Sequence, residues 1–316
     1  MNIVLITPDG PSSRTGNKVA AARWAGILRS LGHKVRIRAD DDGKPADLMV
    51  AVHAWRSAAA VARFKKRNPD RPVVLQLSGT DIYDYIDRDP APTLRSMELA
   101  DRLVALNELA WRAVPKRLRG KLVVMFQSAE ALTQTPSRQA VIVSVIGHLR
   151  DVKDPLRAAQ AARLLPAASR VCIEQVGRAY SPAWAARVRA EMSVNPRYRW
   201  RGDVPKAAVR RLLAMSHAMV ISSRSEGGAN VISEAAVAGV PVLASRVDGN
   251  VGLLGRDYAG YFPAGNSRAL ARLLRRIETD RSFVRRLRRA LRERAKLFRP
   301  AREVAAWRRL LAELSA

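Results

Sequence analysis

The chain has 316 residues, enough for two domains of ordinary size, and a 48% hydrophobic share that suits a globular protein. Its 56 Lys and Arg against 28 Asp and Glu give a net charge of +28, which points toward anionic partners. Yet no helix-turn-helix, RNP-type aromatic strand or zinc spacing argues for a specific nucleic-acid reader, and one cysteine with four histidines excludes an internal disulfide and offers no metal cluster.

Met1-Asn-Ile-Val-Leu-Ile-Thr7 is too short for a signal-peptide core and reads as a first strand. No run reaches the roughly 18–20 apolar residues of a membrane-crossing helix, so a cytoplasmic protein is expected. A loop follows from Pro8 to Gly16. Asn17 then starts a helix with Ala21, Trp24, Ile27, Leu28 and Leu31 on one face, closed by Gly32. Val35–Ala39 and Asp47–Val52 read as strands, Ala54–Lys66 as a helix and Pro72–Leu77 as a strand. Unbroken apolar strands alternating with helices mark an α/β domain with a parallel sheet covered on both faces. Ligands of such sheets bind beyond the carboxyl ends of the strands. Gly16 and Asn17 occupy such a place at a helix start, flanked by Arg14 and Lys18, and suit either an anion or an ordinary tight turn. Ser78-Gly-Thr-Asp81 leaves the fourth strand. Asp81 is placed either to bond a sugar hydroxyl or to cap the next segment.

Leu94–Ala100 reads as a helix, Arg102–Leu106 as a strand, Leu109–Arg119 as a helix and Lys121–Phe126 as a strand. The polar stretch 131–139 lacks periodicity and reads as a linker between domains 1–130 and 140–296. The second sheet begins at Ala140–Ile146. Gly147-His-Leu-Arg150-Asp-Val-Lys153 follows, with a helix expected from Pro155 to Leu165. Arg170–Gly177 is a strand in which Cys172 reads as a buried structural thiol. Ala183–Met192 is a helix and Tyr198–Trp200 a short strand. Asp203 is expected to cap the helix that Pro205 begins. Residues 267–296 read as two basic helices, and 301–314 as a last helix with Val304, Trp307, Leu310, Leu311 and Leu314 on one stripe.

The most informative stretch is Ser225-Glu-Gly-Gly-Ala-Asn-Val-Ile-Ser-Glu234, set between the apolar runs 218–222 and 240–245. It reads as strand, glycine turn, helix and strand, with Gly239 at the helix end and Pro241 as a stop. A helix start presents unpaired N–H groups and positive dipole charge. Gly227 and Gly228 leave room for a ligand beside the backbone. Carboxylates at Glu226 and Glu234 suit pairs of sugar hydroxyls. The plainer reading keeps both as solvated helix-end residues.

Glu226 and Glu234 with seven residues between them, the glycine turn and the Ala238-Gly-Val-Pro-Val242 exit together resemble the signature of family 4 glycosyltransferases. The resemblance implies the GT-B fold, two Rossmann-like domains whose parallel sheets face a central cleft, with residues 297–316 as a helix crossing back to the N-terminal domain. It implies that Glu226 contacts the donor sugar and Glu234 the nucleotide ribose. Gly227, Gly228, Ala229 and Asn230 would line the donor. Gly147, His148, Arg150 and Lys153 resemble the segment that holds the nucleotide diphosphate. Lys153 matches its lysine, while His148 stands at the usual arginine position, so that Arg150 supplies the charge. Val204 would lie against the base, and Asp248-Gly249-Asn250 resembles the loop at the donor phosphates. Ser78 stands where many members carry a histidine.

Across nearly the whole chain, Thr7-Pro8, Ser13-Arg14-Thr15-Gly16-Asn17, Ser78-Gly-Thr80-Asp81, the 147–155 segment and the 225–230 turn are together similar to the selenosugar synthases of selenoneine biosynthesis. That implies transfer of N-acetylglucosamine or glucose from a UDP-sugar to selenophosphate. Arg14, Thr15, Gly16, Asn17, Lys18, Thr80 and Asp81 would bind the acceptor. Glu226, Lys153 and Arg150 would be catalytic, with no metal or other cofactor required. Two other readings stay open. One is a family 4 enzyme acting on a hydroxyl or lipid acceptor, its basic helices in weak contact with an anionic membrane. The other is a non-catalytic protein that binds nucleic acid or other anions.

Overall fold

The computed structural model of the protein describes residues 1–8 and 15–315. It comprises two compact units. Unit 1 is Met1–Ser128, Glu226–Asn230 and Pro300–Ala316, and unit 2 is Ala129–Ser225 and Val231–Arg299.

Unit 1 runs β1 (Asn2–Ile6), α1 (Gly16–Ser30), β2 (Lys34–Arg38), β3 (Leu48–Val52), α2 (Ala58–Arg67), β4 (Val73–Leu77), α3 (Ile86–Arg88), α4 (Pro90–Leu99), β5 (Arg102–Ala105) and β6 (Leu122–Val124). Its six strands form one parallel sheet in the order β2-β1-β3-β4-β5-β6. Unit 2 runs β7 (Val141–Ile146), α5 (Arg157–Ala162), β8 (Val171–Val176), α6 (Pro182–Val194), β9 (Tyr198–Trp200), α7 (Lys206–Met215), β10 (Ala218–Ile221), α8 (Asn230–Ala238), β11 (Val242–Ser245), α9 (Asp248–Leu254), β12 (Tyr261–Phe262), α10 (Ser267–Thr279) and α11 (Arg281–Ala295). These strands pair in the order β12-β11-β10-β7-β8-β9, again all parallel. The last helix, α12 (Pro300–Ser315), belongs to unit 1.

The two-residue period of a strand sorts its side chains between two cores. In β1, Ile3 and Leu5 pack with Ala21, Trp24 and Leu28 of α1 and Trp307, Leu310 and Leu311 of α12. Val4 and Ile6 pack on the other face with Val61 and Phe64 of α2 and Met97 of α4. Each large apolar side chain removed from water contributes about 1.5–3 kcal/mol before entropy is counted. Trp24 and Trp307 meet edge to face, their centroids 4.9 Å apart.

A buried charge sits in that apolar seam. Glu303 of α12 is 2% exposed. Its carboxylate accepts the Trp24 indole N–H at 2.8 Å, the Ser128 amide at 2.8 Å, the Ser128 hydroxyl and the Arg23 guanidinium at 3.2 Å. Removing it strands the buried Trp24 N–H and three half-buried donors on Ser128 and Arg23. Glu303→Ala is expected to destabilise unit 1 by about 3–5 kcal/mol, as for the broken half of a buried pair. Urea unfolding followed by tryptophan fluorescence checks this, and a loss under about 1 kcal/mol would contradict it.

Several sequence-based expectations need correction. The helix expected over Leu109–Arg119 is two short 3₁₀ turns, Ala110–Arg112 and Lys116–Lys121. Pro115 lies between them, lacks the amide a helix needs and disfavours helical backbone at Val114. The helix expected from Pro155 to Leu165 is trimmed to α5 (Arg157–Ala162). Helix α7 has Pro205 at its N-cap, which offers no side-chain cap. Asp248-Gly249-Asn250 is no loop but the first turn of α9. Cys172 is half-buried, and burial raises its thiol pKa. Residues 131–139 lack regular structure, as a linker would, but are fastened within unit 2. Thr135 and Ser137 amides bond the Ala214 and Met215 carbonyls, and the Gln134 amide bonds the Ser216 carbonyl.

Candidate active site

In a doubly wound sheet the ligand crevice lies at the carboxyl ends of the strands where the chain reverses its direction of winding. In unit 2 that point falls between β7 and β10, which are hydrogen-bonded neighbours. The loop after β7 is Gly147–Lys153 and the loop after β10 is Ser222–Ser225. They are tied together. The Ser222 hydroxyl donates to the Lys153 and Asp154 carbonyls at 3.1 and 2.9 Å, and the Arg224 amide donates to the Val152 carbonyl at 2.8 Å. Lys153 ends a 3₁₀ turn. Asp154 then takes a left-handed φ of 45°, held by Arg157 at 2.8 Å. The turn is thus over-determined, and Lys153 is carried at a fixed place.

The start of the same loop leans on the exit of β8. The Gly147 amide bonds the Val176 carbonyl, and the His148 Nδ1 accepts the Arg178 amide at 3.1 Å. Leu149 bridges Ala179 in parallel fashion. Gly177 has φ 139°, and a Cβ there would lie 2.1 Å from the Gly147 carbonyl oxygen. Only glycine lets these two backbones meet. Tyr180, 43% exposed, gathers His148 at 5.5 Å between ring centroids, with the guanidinium carbons of Arg150 and Arg178 at 5.7 and 5.3 Å from its ring. Tyr180 was not marked by the sequence reading. Its position three residues beyond Gly177, at a strand exit, is the signal that would have found it. Val204 lies half-buried in the β9–α7 connection, after Gly202, whose carbonyl accepts the Gly177 amide.

The predicted phosphate contact at Asn250 is not supported by its surroundings. Asn250 is fully buried and donates to the carbonyl and hydroxyl of Ser245 at 2.9 and 3.1 Å. Gly249 is buried beside it. Both serve the packing of α9 behind β11. Glu234 stands in the second turn of α8, half-buried.

Unit 1 gathers the rest. Thr15 caps α1, accepting the Lys18 amide at 3.4 Å, with Gly16 exposed and Asn17 and Lys18 half-exposed. Arg14 lies outside the described residues. Asp81 is fully buried, and its carboxylate accepts the amides of Ala54, Ser78, Gly79 and Ile82 at 2.7–3.0 Å. This is the capping alternative of the sequence reading, and such a saturated carboxylate offers little to an acceptor. Thr80 is half-exposed.

The glycines of the 226–230 segment also need a corrected reason. A Cβ on Gly227 would lie 2.4 Å from the Ser78 carbonyl carbon and oxygen, and one on Gly228 would lie 2.3 Å from the Leu106 Cβ. Asn107 donates to the Gly227 carbonyl at 2.7 Å. These glycines make room for unit 1's own backbone and side chains, rather than for a ligand as the sequence suggested. Glu226 is 7% exposed. Ala229 is half-exposed, and the Asn230 side-chain oxygen accepts Arg23 at 3.1 Å, leaving its backbone amide at the α8 start. Among the described residues no group of three or more His, Cys, Asp or Glu side chains comes together that could hold a metal ion.

Two parallel six-stranded Rossmann-like sheets are the architecture of the GT-B fold. The chain belongs to the glycosyl transferases group 1 family, whose model matches residues 130–298, more than half its length and nearly the extent of unit 2. Solved structures share the fold over the whole chain. HepE (Alr3699) of Anabaena, in complex with UDP, is 16% identical with a TM-score of 0.78, all of both chains covered. The sucrose-phosphate synthase tll1590 of Thermosynechococcus elongatus is 16% identical with a TM-score of 0.82, covering 99% of this chain and 98% of its own. A glycosyltransferase from Rickettsia africae is 14% identical with a TM-score of 0.74, at the same coverage.

Proposed function

We propose that this glycosyltransferase is a family 4 enzyme that uses a UDP-sugar and selenophosphate, a selenosugar synthase of selenoneine biosynthesis. The observation that carries the donor half is the Gly147–Lys153 turn, fixed by Ser222 and Arg224 at the switch point of unit 2. Anabaena HepE has been solved with UDP, with UDP and glucose, and with UDP-glucose, which supports a UDP-sugar donor here. The acceptor half rests on the motif resemblance across the chain.

In this reading Lys153 and Arg150 meet the diphosphate, where charge builds as the sugar takes on oxocarbenium character. Charge-assisted hydrogen bonds of this kind are roughly twice as strong as neutral ones. Glu226 faces the donor sugar and Glu234 the ribose. Selenium forms the new bond to C1 of N-acetylglucosamine or glucose, the C1–O bond breaks, and UDP leaves with the electron pair. Water then cleaves the P–Se bond, releasing phosphate and the 1-selenosugar. Selenophosphate selenium is already anionic, so no general base has to ionise it, unlike a sugar hydroxyl. The N-terminal turn of α1, with Thr15, Gly16, Asn17 and Lys18, supplies N–H groups and positive charge for its phosphate. No metal takes part, and a cytoplasmic setting belongs to the same proposal.

A lipid-acceptor enzyme is the second reading. It is favoured by exposed arginine stripes on α10 (Arg268, Arg272, Arg275) and α11 (Arg281, Arg285, Arg289, Arg292). Among the described residues no helix is long and apolar enough to cross a membrane. An acceptor panel separates the readings. UDP-N-acetylglucosamine or UDP-glucose is supplied with selenophosphate, thiophosphate, phosphate or anionic liposomes carrying lipid acceptors, and products are weighed by mass spectrometry. A hexose or hexosamine selenol supports the proposal. A glycolipid, with no selenium product, overturns it.

A further inference from the structure

At the switch point of unit 1, between β1 and β3, the chain leaves β3 through a strained residue. His53 has φ 74°, in the left-handed region, and its side chain is 1% exposed. Such a backbone is strained for a side-chain-bearing residue and persists only where its surroundings hold it. Here they do. The His53 amide bonds the Gln76 carbonyl at 3.0 Å, and its carbonyl accepts the Ser57 amide at 3.0 Å. The ring packs edge-on to Tyr85, 5.9 Å between centroids.

One bond of the ring points to its tautomer. Nδ1 lies 3.3 Å from the Arg56 amide nitrogen, which can only donate. Nδ1 therefore presents a lone pair, and the nearer Asp81 oxygen, at 3.9 Å, is beyond hydrogen-bond reach of it. The proton sits on Nε2, which is 3.0 Å from the Thr80 hydroxyl oxygen. The imidazole thus donates and Thr80 accepts. The Thr80 hydroxyl keeps its own hydrogen for another partner, and that hydrogen is polarised by the bond behind it.

The neighbouring groups sharpen the point. The Ser78 and Gly79 amides are both spent on the buried Asp81 carboxylate. The Ser78 hydroxyl likewise accepts a buried amide, Gln76 Nε2 at 3.3 Å. What the β4 exit offers outward is hydroxyl hydrogen, and the strongest acceptor for it is an ionised oxygen.

We infer that the Thr80 hydroxyl is a hydrogen-bond donor to an anionic phosphate-type oxygen, and that His53 is the positioning residue that aims it. That the anion is the acceptor's phosphate rests on the proposed function. The donor geometry does not.

Thiophosphate is the probe, titrated calorimetrically at fixed ionic strength, with thermal unfolding as the control. Thr80→Val is expected to weaken binding about 10-fold or more, the usual worth of a bond to a charged group. Thr80→Ser, which keeps the hydroxyl, stays within about 2-fold. His53→Ala weakens binding comparably to Thr80→Val, His53→Gln restores a side-chain N–H and most of the affinity, and the double variant His53→Ala/Thr80→Val is no weaker than Thr80→Val alone. Additive losses, or Thr80→Val binding like the wild type, would overturn the inference. So would a wild-type protein that binds no thiophosphate. Should His53→Ala fail to fold, 15N NMR of the wild-type imidazoles decides: a proton on Nδ1 of His53 refutes the arrangement. Thr80-dependent binding without selenophosphate-stimulated UDP release leaves this inference standing and removes the assigned acceptor. Selenosugar formation indifferent to Thr80 does the reverse.

Discussion

Lys153→Ala is expected to lower kcat/KM for the UDP-sugar by about 10²–10³-fold, the usual cost of removing one preorganised group from a developing oxyanion. The charge develops on the leaving diphosphate, so the loss should fall on kcat at least as much as on KM. The protein invests heavily in the position of this residue. Its carbonyl is held by Ser222, the preceding carbonyl by the Arg224 amide, and the following residue is locked in a left-handed conformation. Those bonds are made by the backbone of the turn and by Ser222, so the turn should keep its conformation in the variant. Lys153→Arg should recover only part of the rate, because a planar fork is not a compact ammonium. Steady-state UDP release checks this. A kcat/KM within about 3-fold of the wild type would remove Lys153 from the reaction.

The second large effect concerns two glycines that face one another. Gly177→Ala places a Cβ 2.1 Å from the Gly147 oxygen, 2.5 Å from its carbon and 2.9 Å from the His148 nitrogen, on a backbone with φ 139°. No flexible side chain is there to yield. Either unit 2 loses about 2–4 kcal/mol, the range for a strained backbone with a clash, or the Gly147-His148 segment moves away and takes the proposed diphosphate contacts with it. Both outcomes raise the UDP dissociation constant. Gly147→Ala is the matched control, since a Cβ there meets nothing within 4 Å. It should change stability by less than about 1 kcal/mol. Differential scanning calorimetry of the two variants, with UDP titration, tests the contrast. Equal stability together with an unchanged UDP dissociation constant would contradict the close approach.

Much of the architecture was legible because it depends on periodicity. β3 and β10 are unbroken apolar runs, β1 and β4 are broken only by Asn2 and Gln76, and such runs read as strands of a doubly covered parallel sheet. Gly239, with φ 71°, ends α8 where its type and the following Pro241 say it should. The two basic helices of 267–296 were equally plain, their buried Leu270, Leu274, Phe283, Leu287 and Leu291 recurring at helical spacing.

What the pattern could not convey depends on partners distant in the chain. Gly227 and Gly228 look like a ligand cradle, yet their bare backbones accommodate Ser78 and Leu106, more than a hundred residues earlier. Glu303 looks like a surface charge beside Arg302, yet it bonds Trp24 and Ser128. Asp81 reads equally as a ligand group or a cap, and only the fold shows it saturated by four amides. His53 lies in no motif, and its strained φ is visible only once β3 and β4 are paired. Local signals marked where the strand exits lie. Which side chains at those exits remain available to a ligand is a tertiary property.

The central claim is that selenophosphate is the acceptor. The most direct test is the rate of UDP release from UDP-N-acetylglucosamine, measured anaerobically with and without selenophosphate. The rate should rise with selenophosphate to saturation, with one UDP released for each sugar–selenium bond formed. A protein that binds the UDP-sugar but releases UDP no faster when selenophosphate is added would contradict it.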